Sequence, residues 1–171
     1  MFSFRQIAIV ISLALPCAGF AEGPNLGEHI TNDDVSSLVI WPDGGGLPPG
    51  SGTVAEGQAT YTQHCLICHG PQGKAGINDT LVGGQVHLTE IPSIRTVGSY
   101  WPYTTSLFDY VRRAMPYNEP GSLSNKQVYG VVAYLLHLNG LIDDDTQLNA
   151  QRLTEIKLPN RERFFSRYEL P

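Results

Sequence analysis

Cys65-Leu66-Ile67-Cys68-His69 decides how the rest of this chain reads. Two cysteines separated by two residues stand one helical turn apart, and the histidine that follows continues the same turn. Thiols so spaced can add to the two vinyl groups along one edge of a porphyrin, and the adjoining imidazole then falls beneath the iron. That is the attachment pattern of a c-type haem. Two other readings of Cys-x-x-Cys compete. A redox dithiol of the thioredoxin kind belongs beside a βαβ unit, and no strand pattern is present to supply one. A zinc site wants four nitrogen or sulfur ligands, but beyond the N-terminal leader there is no third cysteine and no clustered pair of histidines. The expectation is one covalent haem c, held by Cys65 and Cys68, with His69 as an axial ligand of the iron.

Upstream of the motif, Thr53 and Glu56 form a capping box, and Val54, Gly57 and Tyr61 follow along one helical face. That helix runs into Cys65. Before it, Trp41-Pro42-Asp43-Gly44-Gly45-Gly46-Leu47-Pro48-Pro49-Gly50-Ser51-Gly52 is too rich in glycine and proline for regular structure, so residues 22–52 read as an extended lead-in. Downstream, residues 70–103 are loop-like, and a loop region so long needs something to wrap around. A second helix is signalled by Leu107, Tyr110, Val111 and Ala114 and ends at Met115-Pro116, where the pre-proline position turns the chain away from the helix axis. The last helix opens on Ser124 and Gln127, another capping box. It buries Val128, Val131, Val132, Leu135 and Leu138 before Gly140 stops it. Residues 143–171 begin with Asp143-Asp144-Asp145, carry Lys157, Arg161, Arg163 and Arg167, and read as a polar tail. Three main helices, long loops and no strand pattern make an all-α domain over residues 53–142.

With 171 residues there is room for one domain and appendages. Hydrophobic residues at 42% against charged residues at 16% can build a core, and a net charge of -5 is the wrong sign for gripping a nucleic-acid backbone. Residues 1–21 read as a signal peptide, with Arg5 in the positive region, an apolar stretch over 7–15 and a small-x-small cleavage site at Gly19-Phe20-Ala21. The apolar stretch is well short of the roughly 20 residues that span a bilayer. Export to the periplasm, cleavage near Ala21, loss of Cys17 with the leader and no membrane span are therefore expected.

The haem iron needs a sixth ligand or an open position. Beyond the leader Met115 is the sole methionine, set where proline ends a helix, and Met/His is one of the ligand pairs of c-type haems. Among the histidines, His87 is a weaker rival in a loop. His64 points away from the iron by helical phase, His29 lies in the lead-in, and His137 falls on the solvent side of the last helix. Arg95, Tyr100, Trp101 and Tyr103 are candidates for contact with the haem propionates, against the plainer reading that aromatic loop residues simply bury area. Arg112 and Arg113 would form a cationic rim near the ligand loop. A haem enzyme with an open iron is a further reading, and Met115 argues against it.

Val54-Ala55-x-Gly57 through Tyr61 to Cys65, Cys68, His69 and Gly70, with Ala114-Met115-Pro116 and a final Ala133-Tyr134-Leu135-Leu136 helix, resembles class I cytochromes c. The resemblance implies that the first and last helices cross, and it nominates Gly57 and Tyr134 as the pair in contact there. The lead-in from Trp41 to Thr53, the run Thr96-Val97-Gly98-Ser99-Tyr100-Trp101-Pro102-Tyr103, and Phe108-Asp109-Tyr110-Val111-Arg112-Arg113-Ala114-Met115-Pro116 are similar to the cytochrome subunit of sulfane dehydrogenase of the periplasmic sulfur-oxidising (Sox) system. This implies a molybdenum-cofactor subunit that oxidises a sulfur compound, a cytochrome that takes the electrons singly, and a small cytochrome c that receives them. Fuller members of that family carry two haem domains. This chain has a single Cys-x-x-Cys-His, which leaves room for a shorter relative such as the cytochrome subunit of a sulfite dehydrogenase. The alternative function is a free electron shuttle without a catalytic partner, for which the flanking segments would be incidental. On either reading no substrate bond is broken on this chain itself.

Overall fold

The computed structural model describes residues 26–84 and 94–163. The leader reading, with Arg5, Cys17 and Ala21, and the reading of His87 lie outside the described residues. Residues from Thr31 onward make up one unit, and its elements in chain order are α1 (Asn32–Leu38), β1 (Ser51–Thr53), α2 (Val54–His64), α3 (Leu66–His69), α4 (Thr104–Ala114), α5 (Asn125–Leu138), β2 (Gln147–Asn149) and α6 (Ala150–Glu155). Short 3-10 turns lie at Pro71–Gly73 and Arg161–Arg163.

Both capping boxes form. The Thr53 side chain accepts from Glu56 N while the Glu56 carboxylate accepts from Thr53 N, and Ser124 and Gln127 do the same for α5. At the other end of α5, Asn139 is the cap and Gly140 follows at φ 69°, a left-handed turn that glycine enters without strain. The expected one-sided burial of α5 is too modest. Residues 128–136 are buried without interruption, because α2, α4 and the two strands pack on different sides of this helix. A helix that is apolar all round belongs at the centre of a fold.

The crossing of α2 and α5 is closer than a glycine opposite an aromatic would allow. A Cβ on Gly57 would overlap the carbonyl of Gly130 and stand 2.9 Å from Tyr134 Cβ. The nominated contact with Tyr134 is present, and the partner that permits the backbones to touch is a second glycine. Just beyond it the Tyr61 and Tyr134 rings pack at 5.3 Å between centroids.

The two flanking segments differ from their reading as an extended lead-in and a polar tail. Thr31 and Asp34 form a capping box that starts α1. Pro48 and Pro49 are held against α5 by Tyr129 Oη, which donates to Pro48 O at 2.9 Å, and by Asn125 Nδ2, which donates to Pro49 O at 3.3 Å. β1 then pairs antiparallel with β2, Gly52 opposite Leu148. The segment after residue 143 lays Leu148, Leu153 and Leu158 into the core, all at 3% exposure or less. Leucines at intervals of five match neither a helical nor a strand period, and a three-residue strand is too short to show alternation, so this packing leaves no periodic trace. Leu153→Ala is expected to cost about 2–5 kcal/mol, as for other buried leucines. Denaturant unfolding checks this, and a loss below about 0.5 kcal/mol, the level of a surface substitution, would contradict the packing.

Candidate functional site

The end of α2, the Cys-x-x-Cys-His turn, the loops around 77–81 and 95–101, α4 and one face of α5 enclose a cavity of about 680 Å³. Cofactor and small-molecule sites commonly run from about 300 to 1,000 Å³. Cys65, Cys68, His69, Met115, Arg95, Tyr100 and Trp101 all line it. Residues from opposite ends of the domain thus converge on one space.

On the first wall, Cys65 caps α2, its N–H donating to Tyr61 O, and α3 carries Cys68 and His69 onward in the next turn. Leu66 and Ile67, the two intervening residues, face outward at 37% and 83% exposure. The chain then reverses at Gly70 (φ 72°), where any Cβ would overlap the carbonyl of Lys74. Tyr61 Oη donates to Gly70 O at 2.8 Å and ties that reversal to α2. His69 Nδ1 lies 3.0 Å from the carbonyl of Asp79. A carbonyl can only accept, so Nδ1 carries the proton and Nε2 is left with a free lone pair, the arrangement found in metal-ligating histidines.

On the second wall, α4 ends with Met115 in extended conformation (φ -120°, ψ 146°) as the pre-proline rule requires. Leu107, Val111 and Tyr110 line the cavity with it. The apolar stripe of α4 that reads as core in the sequence therefore faces the cavity in part, and Tyr110 keeps 46% of its surface exposed. Trp101 packs against both Tyr100 and Tyr110, with ring centroids 5.9 and 5.4 Å apart, and the Arg95 guanidinium sits 5.3 Å from the Tyr100 ring centre.

The loops owe their order to polar contacts as well as to the cavity. Thr96 N donates to Ser99 Oγ, Ser99 Oγ donates to Ile94 O, and Thr96 Oγ1 donates to Gly83 O. Asn139, buried beyond the end of α5, donates to Leu81 O and accepts from Gly83 N. Thr96 and Ser99 belong to the run quoted for its resemblance, whereas Asn139 carries no motif. Side-chain bonds spanning more than 50 residues have no local signature.

Three candidates fall elsewhere. Tyr103 does not line the cavity. Its backbone bridges to Lys157 and its ring lies under Arg161. Arg112 and Arg113 line a separate open hollow with Ser124 and Asn125, and Arg113 pairs with Asp109 at 2.5 Å, so neither lines the cavity itself. His64, expected to face away, is part of the cavity wall, whereas His137 is half-buried with Nδ1 3.3 Å from Ile142 O. His29 is exposed.

Burial shapes the titration of the first wall. Before haem is attached it pushes the Cys65 thiol up to about 11, with Cys68 adding to the shift; as a thioether Cys65 has no thiol proton to lose. Burial, and after it the neighbouring Cys65, pushes Tyr61 up to about 12. A phenol ordinarily near 10 that ionises near 12 when folded contributes stability that is whole below about pH 10 and is lost as pH climbs toward 12. Tyr61→Phe is expected to flatten that alkaline decline while costing about 1 kcal/mol at neutral pH for the bond to Gly70. Urea midpoints measured across pH check this, and an alkaline decline as steep as in the unaltered chain would contradict it.

Two thiols, an imidazole with one free nitrogen and a thioether around one largely apolar cavity are the donor set that a c-type haem uses. A family model described as cytochrome c oxidase, cbb3-type, subunit III matches residues 52–135. The crystal structure of the sulfane dehydrogenase SoxCD from Paracoccus pantotrophus contains a chain that is 37% identical, with a TM-score of 0.75, over 87% of this chain and 77% of that one. The protein belongs to the cytochrome c family. Among curated proteins no sequence matches it. The cofactor of this cytochrome is covalently bound haem c, its domain is an electron-transfer domain, and its all-α fold gains a two-stranded sheet. Among the described residues no helix is long and apolar enough to cross a membrane.

Proposed function

We propose that this cytochrome is the electron-accepting subunit of a periplasmic molybdenum-cofactor dehydrogenase acting on a sulfur compound, sulfane or sulfite, and that it passes electrons to a small cytochrome c. The observation that carries this is the reach of the similarity. At 37% identity over 87% of the chain it extends beyond residues 52–135 into the flanking segments. A free shuttle needs the haem domain alone, whereas a subunit that docks a partner needs surface outside it.

The haem supplies a one-electron Fe(III)/Fe(II) couple. In this reading one haem is tethered by Cys65 and Cys68. His69 offers Nε2 to the iron, and its proton is held on Nδ1 by the Asp79 carbonyl. Met115 offers its thioether from the opposite wall, and a soft sulfur donor favours the reduced iron and so a higher potential. Arg95, Tyr100 and Trp101 line the wall where propionates would be met, and Tyr103 acts on that wall indirectly. Residues 1–21 direct export and are removed.

The test is the molybdenum-to-iron ratio of the protein purified gently from its own periplasm through a C-terminal tag. About one molybdenum per haem iron is the expected result. Iron alone, from a preparation in which crosslinking before lysis also captures no molybdenum protein, would overturn the dehydrogenase reading in favour of the free shuttle.

A further inference from the structure

The C-terminal segment over residues 144–163 lies outside the stretch matched by the family model and, among the described residues, outside the cavity wall. It nevertheless touches the wall's support at four places. Asn160 Nδ2 donates to Tyr100 O at 3.0 Å, Thr104 Oγ1 donates to Leu153 O at 2.6 Å, Tyr103 bridges to Lys157, and Arg161 stacks on the Tyr103 ring. All four grip residues 100–104, which carry Tyr100 and Trp101 and open α4, the helix that ends at Met115. The beginning of this segment is fixed as well, through β2 on β1 and Leu153 in the core.

Asn160 is the informative contact. It is 5% exposed, and among the described residues its Oδ1 is buried with no hydrogen-bond partner. An unsatisfied buried acceptor costs about 1–3 kcal/mol, so a leucine would suit this position better if packing were its whole task. What an amide does here and a leucine cannot is hold the Tyr100 carbonyl.

We infer that the C-terminal segment is a strap that sets the position of the Tyr100–Trp101 wall of the haem cavity, with Asn160 as its positioning residue. The inference rests on the haem occupying this cavity. A wall held in place keeps water from the cofactor, and water stabilises the more highly charged ferric state, so a loosened wall lowers the reduction potential. Asn160 does not line the cavity. Its effect runs through the dielectric of the pocket and leaves the iron's ligands unchanged.

The test compares Asn160→Leu with Val132→Ala in the haem-loaded full chain. Val132 is fully buried in α5, makes none of the four contacts to residues 100–104 and does not line the cavity. Asn160→Leu is expected to shift the midpoint potential downward with the low-spin ferric spectrum retained. Val132→Ala is expected to lower the unfolding temperature with the potential unmoved. Where Asn160→Leu fails to fold, Asn160→Ser, too short to reach Tyr100 O, gives the same downward shift. An unmoved potential in the Asn160 variants, or an equal shift in Val132→Ala, would overturn the strap. Haem content of the unaltered chain is read first, and a chain exported and matured without haem would overturn the site reading and the strap with it.

Discussion

Gly57→Leu is expected to leave the chain unable to close its helical core, with loss of the cooperative unfolding transition and of stably held haem. The cause is backbone against backbone. A Cβ at residue 57 would overlap the Gly130 carbonyl and approach Tyr134 Cβ at 2.9 Å, and neither can turn aside as the end of a flexible side chain would. Overpacking by an added side chain costs about 1–3 kcal/mol where neighbours can shift. Here the single methyl of Gly57→Ala already meets main chain, so about 3 kcal/mol or more is expected for it, and the branched leucine must splay α2 from α5. Because α2 ends at Cys65 and α5 lines the cavity through Val131 and Leu135, splaying the crossing also separates the thiols from the opposite wall. Thermal unfolding and haem content check both consequences. Unaltered stability in Gly57→Leu would mean that the two helices do not cross at these glycines.

Met115→Ala is expected to remove the low-spin ferric spectrum and to lower the reduction potential. Met115 reaches the cavity because Pro116 ends α4 and turns the preceding residue into extended backbone, and its side chain packs against the core. Alanine at this position has no donor atom. On the proposed ligation the sixth position would pass to water, a harder ligand that favours the ferric state, or stay open, and carbon monoxide would then bind the reduced protein without displacing a protein ligand. Spectra of both oxidation states and a potentiometric titration measure this. A ferric spectrum identical to that of the unaltered chain would assign the sixth position to another residue.

These two residues differ in how they can be found. Met115-Pro116 is legible in sequence because proline acts on its immediate neighbour, and the sole methionine beyond the leader leaves no competitor of its kind. Gly57 is legible only by resemblance. Its partner Gly130 gives no signal in α5, where a glycine within an apolar helix looks like a weak point until the second backbone is seen against it. The same contrast holds for the histidines. His69 is marked by the motif, while the Asp79 carbonyl that sets its tautomer is an unremarkable main-chain atom ten residues away.

Local chemistry therefore made the three main helices and the candidate donors legible from sequence alone, while the helices at Asn32–Leu38 and Ala150–Glu155 went unread. Capping boxes act over three residues, the pre-proline rule over one, and Cys-x-x-Cys-His over a single turn, so each is complete within a short stretch of chain. Tertiary structure alone decided the glycine-on-glycine crossing, the polar ties of Asn139 and Asn160, the departure of Tyr103 from the cavity, and the return of the C-terminal segment to the core. Each of these joins residues tens of positions apart, and Leu148, Leu153 and Leu158 follow no helical or strand period. Their burial comes from the shape of the surface they meet, which exists only once α2, α4 and α5 have packed.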